Sequence, residues 1–157
     1  MTRLADLRDE ERIGAMKIYV SRVPPEGLQD HARYDPAAMD MDRFDIRLKD
    51  PFDVDASVVL ADRELVVNVQ IQCPVRMTCA RCLEEFSRTL TPTALFSYPV
   101  QASDVVDLTD DVRQEILLAY PMIPVCRPDC KGLCSACGQN LNQGPCPTTR
   151  HRNPGVC

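Results

Sequence analysis

The chain has no tryptophan, only two histidines, and only four phenylalanines and four tyrosines in 157 residues. That scarcity argues against the aromatic platforms on which single-stranded RNA stacks its bases, and no run resembles such a stacking motif. Glycine is also sparse, at six residues. Neither a phosphate-cradling P-loop nor a GxGxxG turn can be assembled. No apolar run approaches the 18 or so residues that a membrane-spanning helix requires. There is no excess of positive charge: the formal net charge is −5, whereas phosphate-gripping proteins usually carry a basic face. His31 and His151 both fall in polar, loop-like segments, so no Ser/His/Asp set emerges. The expectation is a protein that is not an enzyme, with no small-molecule substrate evident.

What the chain does have is cysteine, nine in all. Cys79-Ala-Arg-Cys82 forms one CxxC pair, and Cys126-x3-Cys130-x3-Cys134-x2-Cys137, followed by Cys146, forms a second group. A CxxC turn sets two thiolates on one side of a backbone reversal, at about the separation that a zinc tetrahedron needs. Two such groups far apart in sequence point to a metal that ties two segments together. Gly138, just after Cys137, supplies the positive φ that a knuckle often uses. Structural zinc is the expected cofactor, and these cysteines can fill at least one closed site. Cys73 reads as a small buried hydrophobe, and Cys157 as a terminal thiol. Met1 to Arg12 is charged and lacks the apolar core of a secretory signal. The expected compartment is therefore the reducing cytoplasm, where clustered thiols favour metal over disulfides.

The alternation of apolar and polar residues predicts strands at 16–20, 44–48, 52–60, 64–71 and 86–98, with residues 61–63 as a hairpin turn. Leu65, Val67, Val69 and Ile71 share one face of their strand. Residues 29–42 read as a loop or short helix. An acidic stretch from Asp104 to Asp111 leads into the best helical segment, with Thr109 as N-cap and Pro121 and Pro124 ending it. The fold class is α+β: an antiparallel, β-dominated domain over residues 1–125 with one main helix, and a Cys-rich zinc-knuckle tail over 126–157 packed on it. The tail is too poor in apolar residues to build a core and needs metal to hold its shape. A local basic group, Arg127, Lys131, Arg150 and Arg152, flanks the cysteines.

Two enzymatic alternatives fit part of this pattern. Cys130-x3-Cys134-x2-Cys137 matches the iron–sulfur motif of radical-SAM enzymes, but those resemble large partial barrels with the motif near the start. A redox dithiol at Cys79 and Cys82 would want a helix N-terminus after a strand, and Cys79 sits between predicted strands.

Cys79-Ala-Arg-Cys-Leu-Glu-Glu-Phe86 resembles the signature of the YceD family, the large ribosomal RNA subunit accumulation proteins. Glu115-Ile-Leu-Leu-Ala-Tyr-Pro-Met-Ile-Pro-Val-Cys126 and Asp129-Cys-Lys-Gly-Leu-Cys-Ser-Ala-Cys-Gly-Gln-Asn-Leu-Asn142 resemble the same family. The resemblance covers roughly residues 50–146. It implies a cytoplasmic bacterial factor in ribosome biogenesis, non-catalytic, that supports accumulation of large-subunit rRNA. Its implied partners are ribosomal precursor particles, through a ribosomal protein or rRNA, with no membrane. The resemblance also implies two metal sites: Cys79, Cys82, Cys126 and Cys130 as the core site, and Cys134, Cys137 and Cys146 as an added one. Where the family tail usually reads Cys-x-Cys, this chain has Cys146-Pro-Thr148, which leaves His151 or Cys157 as the fourth ligand of the added site.

Overall fold

The computed structural model describes residues 14–43 and 46–147. The strands are β1 (Lys17–Tyr19), β2 (Leu28–Tyr34), β3 (Asp42–Arg43), β4 (Ile46–Arg47), β5 (Phe52–Ala61), β6 (Glu64–Thr78), β7 (Glu85–Leu90), β8 (Thr93–Pro99) and β9 (Val105–Asp107), followed by helix α1 (Thr109–Ala119). The described residues thus form a strand-dominated α+β protein with one α-helix, as the alternation predicts. The larger sheet runs β2-β5-β6-β4-β3, with β7 and β8 also paired to β6, while β1 and β9 form a separate antiparallel pair.

Strand β6 organises the fold because its alternation is the longest in the chain. Leu65, Val67, Val69, Ile71, Cys73, Val75 and Met77 are all buried along one face, so the pattern continues well past Ile71. Pro74 lies within this extension. The hairpin from β5 turns at Asp62, whose φ of 54° is left-handed, a conformation that the short polar Asp side chain tolerates. Ala61 then pairs with Glu64 and Asp53 with Gln72, which holds Val54, Ala56 and Val58 on the face that β6 buries. Beneath them Tyr34 stacks on Phe52, centroids 5.5 Å apart and nearly parallel, and the Tyr34 hydroxyl accepts the Met16 N–H at 2.8 Å.

Several expectations need correction. Residues 28–34 form a full strand rather than a loop or short helix, pairing from Leu28↔Val58 to Tyr34↔Phe52. The strand is hard to read because only Ala32 and Tyr34 in it are buried. A 3-10 turn at Pro36–Met39 follows it. The strand expected at 44–48 falls partly outside the described residues; Asp42–Arg43 and Ile46–Arg47 pair with each other as a short antiparallel ladder. The return strand at 86–98 divides at Thr91-Pro92, since proline has no N–H for the ladder; its carbonyl still accepts from Ile71 N. Thr109 is the first residue of α1 rather than its cap. The N-cap position is Leu108, whose side chain makes no capping bond; Asp107, one residue earlier, accepts the Thr109 N–H at 3.0 Å and the Thr109 hydroxyl at 2.6 Å. Val112 and Ile116 form the buried stripe of this helix.

By compactness the chain forms two units that interleave in sequence. One comprises residues 1–75 and 89–120, and holds the sheet core and α1. The other comprises 76–88 and 121–157, so that the first CxxC turn groups with the C-terminal cysteines instead of with the sheet core.

Candidate metal centres

The second unit contains little regular structure, and its buried centre is sulfur. Cys79, Cys82 and Cys130 form its core, with Phe86, Val125 and Cys126 packed against them. Cys79 lies at a turn after β6, closed by Cys79 N→Glu84 O at 2.9 Å and Leu83 N→Cys79 O at 2.9 Å. The turn forces Leu83 to φ 60°, a costly conformation for a side chain with a Cβ. The second knuckle repeats the geometry: Gly138 N donates to Cys134 O at 2.8 Å, and Gly138 has φ 73°. Here glycine takes the left-handed residue without strain, as its place after Cys137 suggests. No comparable sequence signal marks Leu83.

The sulfurs of Cys79, Cys82, Cys126 and Cys130 all lie within 4.8 Å of one another. Cys79–Cys130 and Cys82–Cys126 are each 3.8 Å apart. A tetrahedron with metal–sulfur bonds of about 2.3 Å has edges of about 3.8 Å, so the four thiols fit a tetrahedral metal such as zinc. Cys134, Cys137 and Cys146 form a separate group, with Cys134–Cys146 at 3.3 Å and Cys137–Cys146 at 3.2 Å. All seven cysteines expected as ligands therefore fall into two clusters, four and three. Cys73 belongs to neither and is buried in β6, where burial pushes its thiol up to about 12. His151 and Cys157 lie outside the described residues, as do Arg150 and Arg152. Cys130 sits with Cys79 and not with Cys134 and Cys137, so the three-cysteine iron–sulfur spacing does not correspond to one cluster.

Hydrogen-bond donors surround the first cluster. Cys79 Sγ accepts from Cys126 N at 3.3 Å and from Arg81 N at 3.4 Å, and Cys130 Sγ accepts from the Asn142 amide at 3.3 Å. These donors favour thiolate, whereas burial and neighbouring sulfurs oppose it. Burial acts to raise the Cys79 pKa, but the N–H groups of Cys126, Cys82 and Arg81 outweigh it and hold the thiol at about 6. Cys130 is also lowered, first by the Asn142 amide. Cys126 is pushed up to about 12, by burial and then by the other thiols. Cys82 is raised as well: the backbone N–H of Glu84 works to lower it, but burial and the Cys79 and Cys130 thiols prevail. The pocket by itself therefore favours charge at Cys79 and Cys130 and opposes it at Cys82 and Cys126. Four thiolates together require a cation among them.

Sequence reading overlooked two supports. The Arg81 guanidinium donates to the carbonyls of Cys130 and Pro128, at 3.2 and 3.4 Å. Gly132 passes so close to Arg81 that a Cβ there would sit 3.1 Å from its carbonyl oxygen, and Leu133 N donates to that same oxygen.

The described residues thus form a β-rich α+β protein with two thiol clusters, each of which could hold a metal ion. Residues 95–155 match the family described as large ribosomal RNA subunit accumulation protein YceD, and the chain belongs to the YceD family. It is 34% identical over 128 residues to an uncharacterized protein of Mycobacterium bovis, covering 71% of this chain and 62% of that one, and equally so to one of Mycobacterium tuberculosis. The chain thus spans about six tenths of the length of these relatives. A maize protein, large ribosomal RNA subunit accumulation protein YCED homolog 1, chloroplastic, is 40% identical over 52 residues, 33% of this chain and 18% of its own. No solved structure matches the chain. No helix among the described residues is long and apolar enough to cross a membrane.

Proposed function

We propose that this protein is a non-catalytic, cytoplasmic factor in ribosome biogenesis that supports accumulation of large-subunit rRNA. The observation that carries the reading is family membership through the cysteine-bearing segment 95–155, joined to the name of the maize relative. Zinc is the proposed structural cofactor. Cys79, Cys82, Cys126 and Cys130 hold one ion, and Cys134, Cys137 and Cys146 hold a second with His151 or Cys157 as fourth ligand. When bound, the metal supplies cross-links to a unit that has almost no apolar core. A thiol-redox role for Cys79 is disfavoured: its pKa is low, but its side chain is fully buried, and a redox thiol needs access as well as acidity.

The working surface on this reading is the cysteine-rich unit, which meets pre-ribosomal particles through a ribosomal protein or rRNA. Arg127 is exposed and paired loosely with Asp129 at 3.6 Å, and Lys131 is exposed beside it. A few phosphate contacts of this kind give weak, salt-sensitive association, so specificity comes from a shaped partner. The test is to delete the gene and measure large-subunit against small-subunit rRNA, then complement with the wild type and with Arg127, Lys131, Arg150 and Arg152 all changed to Ser. Restoration by the wild type and co-sedimentation with precursor particles are expected. In the variant, association weakens at low salt and its salt dependence flattens. Unaltered large-subunit rRNA in the deletion strain would refute the reading.

A further inference from the structure

The two thiol clusters are joined by one side chain. Asn142 lies on the stretch between Cys137 and Cys146, which the second cluster closes, yet its amide nitrogen donates to Cys130 Sγ of the first cluster. The direction of that amide is fixed. Its Oδ1 accepts the backbone N–H of Lys131 at 2.9 Å, which only a carbonyl oxygen can do, so the NH2 end must face the sulfur. A second contact steadies it: Asn142 Nδ2 also donates to Asn140 Oδ1 at 2.9 Å, and Asn140 Oδ1 accepts the Asn142 N–H at the same distance. Asn140 is itself buried and held by a backbone bridge to Leu133. A short hairpin therefore connects the clusters, closed by Cys134 N→Gln139 O at 2.8 Å and Leu141 N→Gly132 O at 2.9 Å.

From this we infer that Asn142 is a positioning residue that couples the two metal sites: a metal on Cys134, Cys137 and Cys146 orders the loop carrying Asn142, and the oriented amide strengthens metal binding at Cys79, Cys82, Cys126 and Cys130. An N–H donor draws charge from a coordinating thiolate and fixes its direction, and partners of this kind are worth about 10–100-fold in metal affinity. Coupling between binding sites is reciprocal, so loading the first cluster strengthens the second by the same factor. Occupancy is then cooperative, and partly loaded protein is scarce. The inference rests on the metal reading proposed above and extends it from two separate sites to one linked pair.

The experiment uses full-length zinc-loaded protein titrated with a competing chelator. Each cluster is read separately, by the chelator concentration at which its cysteines become open to alkylation in peptide mass spectrometry. Four proteins are compared: wild type, Asn142→Asp, Cys134→Ser/Cys146→Ser, and the combination of all three changes. Asp keeps the oxygen that accepts from Lys131 N–H but has no donor for sulfur. Asp also loses the bond to Asn140 Oδ1, so if Asn142 only holds the turn, Asn142→Asp loosens the second cluster and leaves the protection of Cys79 and Cys82 as in wild type. If it couples the sites, Asn142→Asp exposes Cys79 and Cys82 at about 10–100-fold lower chelator. Cys134→Ser/Cys146→Ser does the same, and the combined variant is no weaker than the weaker of the two. Asn142→Ala provides a second variant without the added charge, with thermal unfolding of the zinc-loaded form as the check on folding. Unchanged protection of Cys79 and Cys82 in both Asn142 variants, or in Cys134→Ser/Cys146→Ser, overturns the coupling while leaving two independent sites. Wild-type protein alkylated at all seven positions in the presence of zinc overturns the metal reading and the coupling with it.

Discussion

Replacing Cys79 by Ser tests whether metal holds the second unit together. Cys79 is the hub of the first cluster: its sulfur is 3.8 Å from that of Cys130 and accepts from the amides of Cys126 and Arg81. Around it, among the described residues, Phe86 and Val125 contribute the apolar packing beside the cysteines, both partly buried. Full burial of such side chains is worth about 1.5–3 kcal/mol each, so the two together supply only a few kcal/mol. A structural zinc contributes on the order of 10–16 kcal/mol in small thiolate sites at neutral pH, as large as the whole net stability of about 5–15 kcal/mol of an ordinary domain. If zinc fills this site, its loss is therefore expected to unfold residues 76–88 and 121–147. The sheet core of the first unit owes nothing to sulfur ligands and stays folded. Hydrogen exchange with peptide-level mass spectrometry checks this. Protection is expected to vanish across the second unit in Cys79→Ser and to persist over residues 52–70, while Cys134→Ser loosens mainly 133–147. Equal protection patterns in the two variants, or a purified wild type without stoichiometric zinc, refutes the reasoning.

Other outcomes follow from the same contacts. Phe52→Ala removes the ring stacked on Tyr34 at the centre of the first unit and is expected to cost about 3–5 kcal/mol in denaturant unfolding. Leu83→Gly relieves the left-handed residue of the first knuckle; about 1–2 kcal/mol of strain less about 0.5–1 kcal/mol of added chain entropy makes the variant slightly more stable, by thermal melting of the zinc form. Cys73 has a folded pKa of about 12 against 9.0 unfolded, so its thiol resists alkylation in native protein. Because that pKa is raised, the unfolded state ionises first: stability is complete below about pH 9 and declines as pH climbs toward 12. The decline is expected to be shallower in Cys73→Ala, measured as the shift in denaturant midpoint.

Strand β6 was legible because alternation over many residues admits a single burial pattern, and its hairpin partner β5 followed from it. Strand β2 was not. Its buried residues are one alanine and one tyrosine separated by charge, so its place is decided by the ladder to β5 instead of by its own composition. Short β9 escaped notice for a related reason: Val105 and Val106 sit in an acidic stretch that reads as surface, yet they pair with Tyr19 and Ile18. The helix cap moved by one residue, to Leu108, whose side chain makes no capping bond; the Thr109 hydroxyl that made it a good capping type is instead bonded to Asp107.

At the cysteines the sequence was more informative about chemistry than about connection. Spacing identifies a CxxC knuckle because the constraint is local: two thiols, one turn, and a left-handed residue after the second. How knuckles combine is a long-range matter, and spacing alone leaves Cys130 equally close to Cys126 and Cys134. The tie is broken on the side of the first CxxC turn, where Arg81 holds the carbonyl of Cys130 and the Cys79 and Cys130 sulfurs lie 3.8 Å apart, while Asn142 meets the same sulfur from the loop between Cys137 and Cys146. Neither residue type announces a metal site. An arginine inside a CxxC turn reads as surface charge, and an asparagine in a Gly/Asn-rich tail reads as a turn former. Around Cys130 the polar supports, and not only the ligands, thus hold the site together, and a substitution among them can weaken it while leaving every cysteine in place.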